Sequence, residues 1–208
     1  IYIHSDTIYR HNVFQVRYTT YDCHQDTDTI NPKTSRRDFM CLPAQDEADE
    51  GGPSENLEPK DYVYGRLLGI FHANVVYGGS GALDYRRRRF DFLWARIYTT
   101  PSDGGRSDAW ASKRLDRLKL APMSESNSWN FVDPSDILRG AHIIPRFSRG
   151  PHYNEQDRVT KRFSKVAQDH LDWEEYYVNR FVDRDMTMRF HRGLAVGHPE
   201  VCLGTGEG

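Results

Sequence analysis

A chain of 208 residues with 38% hydrophobic and 28% charged content is long enough to bury a sizeable core, and it is too polar for a membrane protein. Its formal charge of -2 excludes a wholesale nucleic-acid coat protein while leaving room for local basic patches. Aromatic residues reach 12% of the chain, which favours strands and recognition surfaces and predicts a β-rich fold.

The chain opens on Ile1 without a charged-then-apolar signal pattern, so a piece of a longer protein is expected. Val13 to Tyr21 alternates, with Phe14, Val16 and Tyr18 on its apolar side, and predicts a strand. Asp22 to Lys33 is polar and ends in the turn signal Asn31-Pro32, ahead of a short strand near Phe39 to Leu42. Gln45 to Lys60 is acidic, carries Gly and Pro and lacks aromatics, which predicts a mobile loop.

Tyr62 to Tyr77 is dense in Val, Ile, Phe and Tyr but interrupted by Gly65 and Gly69. That pattern predicts one long bent strand, or two with a bulge, rather than a helix. Its core, Leu67 to Val76, is broken by His72 and Asn74 and is too short to span a bilayer. Gly78 to Gly81 then turns the chain into a second strand, Phe90 to Tyr98, so a hairpin is expected. Lys113 to Leu120 reads as a further strand. Pro134 after Asp133 predicts a single helical turn ended by Gly140, and His142 to Phe147 a short strand. Trp173, Tyr177 and Phe181 fall at helical spacing, so Asp169 to Met188 should form an amphipathic helix anchored by those rings. Residues 1–198 are thus expected to form one β-rich domain, with a flexible glycine-bearing tail over 199–208.

No motif for catalysis stands out. The chain holds no G-x-S-x-G elbow and no H-E-x-x-H or C-x-x-C spacing, so no metal, cofactor or catalytic residue is expected. Cys23, Cys41 and Cys202 are odd in number and widely spaced, which points to a reducing compartment rather than a disulfide framework. Asp183 and Asp185, two apart on the expected helix, are expected to point in different directions and to lie on a solvated face in ion pairs. Two binding features do emerge. Tyr62, Tyr64, Trp94 and Tyr98 lie on strands that should pair, where they could form an aromatic box for a peptide cation. Arg86, Arg87, Arg88 and Arg89, with Lys113, Arg114 and Arg117, could instead contact phosphates.

The motif series YTTYD, QDTDTINP, YGRLLGIFHANV, FLWARIY, SKRLDRL, FVDPSDILRGAHIIPRF and WEEYYVNRFVDRDMTMRF resembles, in order, the carboxy-terminal region of Plavaka-type transposase-related proteins of mushroom-forming fungi. These proteins are similar to the CACTA superfamily, whose catalytic acids lie upstream, so the resemblance implies a region without an active site. A second resemblance is to bromo-adjacent homology domains, which show a similar order of elements around Tyr64 to Phe71, Ala95 to Tyr98 and Val132 to Ile144. It implies a bent β-barrel with short helical turns and one C-terminal helix. Some of those domains hold methylated lysine in an aromatic cage, and Ile97 stands at the position of their cage tryptophan. The combined expectation is a nuclear, non-catalytic interaction domain that recognises a chromatin protein or another transposase segment. Sequence-nonspecific DNA binding is the alternative.

Overall fold

The computed structural model describes residues 1–42, 62–81, 84–101, 115–157, 162–192 and 200–202. The protein is mainly β, with a sheet curled into a half-barrel and one helix near the C-terminus. Its spine is a hairpin of two long strands, β5 (Val63–Val76) and β6 (Arg88–Thr99), as the apolar runs on either side of the glycine-rich connection predict. The earlier strands are β1 (Tyr2–His11), β2 (Phe14–Thr19), β3 (Gln25–Ile30) and β4 (Asp38–Cys41). Those that follow are β7 (Arg117–Leu120), β8 (Asn130–Val132), β9 (Ile137–Gly140), β10 (Ile143–Pro145), β11 (Tyr176–Val178) and β12 (Glu200–Cys202), with α1 (Arg184–Arg192) before the last.

The nine-stranded sheet runs β10-β11-β7-β6-β5-β4-β9, with β1 also on β5 and β8 also on β6. A three-stranded sheet, β12-β2-β3, packs beside it. The predicted bulge lies at Leu68, where Leu67 pairs with Ala95 and Gly69 with Trp94. One extra residue shifts the alternation. Leu67 before the bulge and Ile70 after it therefore reach the same core, while Leu68 turns to Met123 and Ala167 on the other side. Both glycines are needed for contact: a Cβ at Gly65 would overlap the Phe39 ring, and one at Gly69 would meet the Phe71 ring.

Two cores result. Phe14, Val16, Ile30, Phe39, Ile70, Leu93 and Ile137 fill the space between the small sheet and one face of the large one. Met40, Tyr64, Tyr98, Leu118, Tyr176, Met186 and Phe190 fill the other face beneath α1.

Several expectations need correction. The segment Asp169 to Met188 is not one helix but a 3-10 turn, Asp169–Leu171, then β11, with α1 starting only at Arg184. Polar pins break the helical pattern. The Asp169 carboxylate accepts from the Phe163 and Ser164 N–H groups at 2.8 and 2.9 Å, and Arg96 donates to Asp172 at 2.7 Å. Tyr176, Tyr177 and Val178 also satisfy a period of two, with Tyr176 and Val178 buried. Consequently Phe181 does not anchor a helix and is 62% exposed; Met186 and Phe190 do so instead, one helical turn apart. Trp173 packs part-buried against the same core.

The polar stretch after Tyr21 contains a strand, β3, which borders β2 and buries only Ile30. The turn at Pro134 forms with its Asp133 cap but ends at Asp136, because Ile137 to Gly140 enter β9. Within the tail, Glu200 to Cys202 pair with Arg17 to Gln15 as β12. The acidic segment from Gln45 to Lys60 lies outside the described residues, as do Lys113 and Arg114.

Candidate functional site

The four aromatics singled out for a box take two different fates. Tyr62, Tyr64 and Tyr98 are buried in the core under α1, where Tyr62 meets Phe190 edge-on at 5.6 Å. A cation does sit among such rings, and it is the protein's own. The Arg66 guanidinium lies 5.4 Å from the centre of Tyr98 and 5.0 Å from that of Tyr176. It donates to Asp38 at 2.9 Å, and Tyr98 donates its hydroxyl to the same carboxylate at 3.1 Å. Burial pushes the Tyr98 phenol well above its ordinary range, against the pull of Arg66. Asp172 completes the network between Arg66 and Arg96 and is likewise raised by burial, against both guanidiniums. Trp94 lies on the other side of the bulge, part-buried against Leu68 and edge-on to Trp129 at 6.2 Å.

A second nest has the same form. Arg139 lies over Tyr18 at 4.6 Å and binds Asp183 at 2.7 Å, Asp185 at 2.8 Å and Asp28 at 3.2 Å. The acid pair Asp183 and Asp185 is therefore held in ion pairs, as expected, but both acids meet one arginine and Asp185 is buried rather than on a solvated face. A cavity of about 550 Å³ opens beside this nest, with Asp28, Arg139 and Asp183 on its wall together with Asp38 and His142.

The open aromatic surface lies elsewhere. Alternation along β6 sends Leu93 and Ala95 into the core and leaves Phe90, Phe92 and Trp94 on the outer face. Phe71 of β5 lies directly across from Phe92 and stacks on it at 5.6 Å. Phe131 of β8 meets Phe92 edge-on at 5.5 Å, and Trp129 continues the row 5.8 Å beyond Phe131. Phe90 and Phe131 are 53% and 55% exposed, and Trp129 is 40% exposed. Scattered apolar side chains are normal on a surface, and a contiguous row of rings is less common there.

The arginine run leads into this row, Arg89 immediately preceding Phe90. Arg88 pairs loosely with Asp84 at 3.6 Å and Arg89 donates to Asp91 at 2.9 Å. Among the described residues no acid pairs with Arg86 or Arg87, both exposed. Arg117 is tied to Glu175 at 3.4 Å and belongs to a separate place in the sheet.

The sequence reading missed a cluster of possible metal ligands on the core-side face of the hairpin, where His11, His72 and Asp91 converge from β1, β5 and β6. The three are far apart in the chain, so no motif spacing could reveal them; only the strand register does. No helix among the described residues is long and apolar enough to cross a membrane. Comparison of the chain with family models, curated proteins and solved structures returns no match.

Proposed function

We propose that the protein is a non-catalytic interaction domain that binds a protein partner through the outer face of β5, β6 and β8. The observation that carries this reading is the contiguous aromatic row from Phe71 and Phe90 through Phe92 and Phe131 to Trp129, more than a third exposed at Phe90, Phe131 and Trp129. Rigid rings bring large contact area at low entropic cost, and aromatic residues with arginine are the commonest anchors of protein interfaces. The non-catalytic part of the reading is supported by the buried acids. Asp38, Asp172 and Asp185 are each gripped by an arginine, which suits a structural role better than proton transfer. In keeping with the resemblance to Plavaka-type and bromo-adjacent homology proteins, the partner class is a chromatin protein or another segment of a transposase-related parent, met in the nucleus.

A second reading, sequence-nonspecific DNA binding, has its own observation in the exposed Arg86 and Arg87 beside that row, with which no acid pairs among the described residues. Both are tested by titrating the chain against reconstituted nucleosomes and against a free DNA duplex at several salt concentrations. On the protein-binding reading, Phe90→Ser with Phe131→Ser weakens nucleosome binding about tenfold or more, and Arg86→Ala with Arg87→Ala changes it little. Free-duplex binding of equal strength, with a salt slope that drops by about one for each arginine removed, would replace the first reading by the second.

A further inference from the structure

We propose that His11, His72 and Asp91 bind one divalent transition-metal ion of the zinc class, clipping the edge strand β1 to the β5–β6 hairpin. The site follows from register. His72 stands directly opposite Asp91 in the β5–β6 ladder and opposite Tyr9 in the β1–β5 ladder, and His11 lies two positions along from Tyr9, opposite Ile70. Residues paired across adjacent antiparallel strands share a face at about 5 Å, so three side chains from three neighbouring strands converge on one point. One ligand atom from each of the three lies within 4.8 Å of the other two, and all three residues are part-buried.

The nitrogens define the point. His11 Nε2 and His72 Nδ1 face each other at 2.6 Å. At most one of two facing imidazole nitrogens can carry the proton between them, and a metal can take that proton's place. Ligands of a tetrahedral zinc with bonds of about 2.0 Å stand about 3.3 Å apart, so the rings need to open by less than about 1 Å to admit it. Two imidazoles and a carboxylate form the donor set of many open zinc sites and suit first-row transition metals better than magnesium or calcium, which prefer all-oxygen shells.

The surroundings orient two of the three donors. Tyr9 stacks flat on the His72 ring, with centroids 4.6 Å apart and planes 9° from parallel. Arg89 donates to both Asp91 oxygens, at 2.9 and 3.2 Å, fixing the carboxylate in the manner of an outer-shell partner and leaving lone pairs for a metal.

The clip has something to hold. Among the described residues β1 has only β5 as a ladder partner, and it is broken between Ile3 and Ile8, where Ser5 and Asp6 take left-handed backbone angles. Isothermal titration of the chelator-treated full chain with Zn²⁺, and visible absorption of its Co²⁺ form, test the proposal. One equivalent should bind, with affinity falling about 100-fold or more in His72→Ala and about tenfold in Asp91→Asn, while His24→Ala leaves it unchanged. Amide exchange in β1 should slow on adding Zn²⁺ to the unaltered chain and not to the His72→Ala chain. No saturable binding, or binding of equal strength in both His72→Ala and Asp91→Asn, would show that the cluster is an imidazole hydrogen bond and an ion pair only. Asp91→Asn preserves side-chain shape and remains informative if His72→Ala fails to fold.

Discussion

Two groups of aromatic rings lie on the same pair of strands and meet opposite fates. Tyr64 and Tyr98 are buried, Tyr98 beside the Arg66 guanidinium, whereas Phe71 and Phe92, a few residues along, stack part-buried next to the exposed Phe90. Hydrophobicity does not decide the outcome, since the more polar tyrosines are the buried group and the phenylalanines the outer one. Position relative to the bulge at Leu68 and to the elements packed above does: α1 and β11 roof the Tyr98 end, and nothing among the described residues roofs the Phe90 end. A cage for a foreign cation and a nest for the protein's own arginine look alike in sequence. They differ in whether the chain itself supplies the cation.

The sharpest way to break this contrast is to empty the inner nest. Arg66→Ala leaves Asp38 as a buried carboxylate without its guanidinium and should cost about 3–5 kcal/mol, measured by denaturant unfolding. A loss below about 1 kcal/mol would mean that the nest is hydrated and open like the outer row. The roof can be tested separately. Phe190→Ala should cost about 3–5 kcal/mol, because its ring is buried against Tyr62 and stacked by Arg180 at 4.7 Å. The neighbouring Phe181→Ala should stay within about 0.5 kcal/mol, since Phe181 points to solvent.

That last pair also shows what could be read from the sequence. The hairpin, its bulge, the Asp133-capped turn and the β-rich class were legible because local patterns carry them: two glycines in an apolar run, or Pro after Asp. The stretch from Asp169 to Met188 was not, because Tyr176, Tyr177 and Val178 satisfy both a helical and an alternating pattern, and distant partners decide between them. Arg96 and Arg66 hold Asp172, and Leu118 pairs with Tyr176. Strand β3 was missed for the opposite reason: Gln25 to Thr29 are polar, and only Ile30 signals a core. The site residues divide the same way. The Arg86 to Arg89 run is visible in any reading, but the burial of Tyr62, Tyr64 and Tyr98 depends on α1 and β11, and the meeting of His11, His72 and Asp91 depends on long-range register.

The outer row sharpens the contrast from the other side. Phe90→Ser and Phe131→Ser should each cost less than about 1.5 kcal/mol of stability, because what is lost is ring–ring contact on a surface rather than a filled core site. The check is the same denaturant series used for Arg66→Ala. A loss of about 3 kcal/mol for either would place that ring in a packed core and remove it from the contact surface.

The smallest effect concerns Arg139, two of whose three acid partners are shifted in opposite directions. For Asp28, burial raises the pKa and outweighs Arg139 and the Gly140 N–H, leaving it above the usual aspartate value of 3.8. For Asp183, burial also pushes upward, but hydrogen bonds from Arg139 and from the Met186 N–H prevail and hold it below that value. A depressed folded pKa contributes stability that is present above 3.8 and lost as pH falls through the folded value. A raised one works the other way, favouring the fold below 3.8 and losing that contribution as pH rises through the folded value. Asp183→Asn should therefore flatten the fall of melting temperature on acidification between about pH 6 and 3, and Asp28→Asn should steepen it. Asp183 is 40% exposed at its side chain, so solvent screening keeps its effect modest. Equal slopes in both variants would show that Arg139 holds the two carboxylates alike.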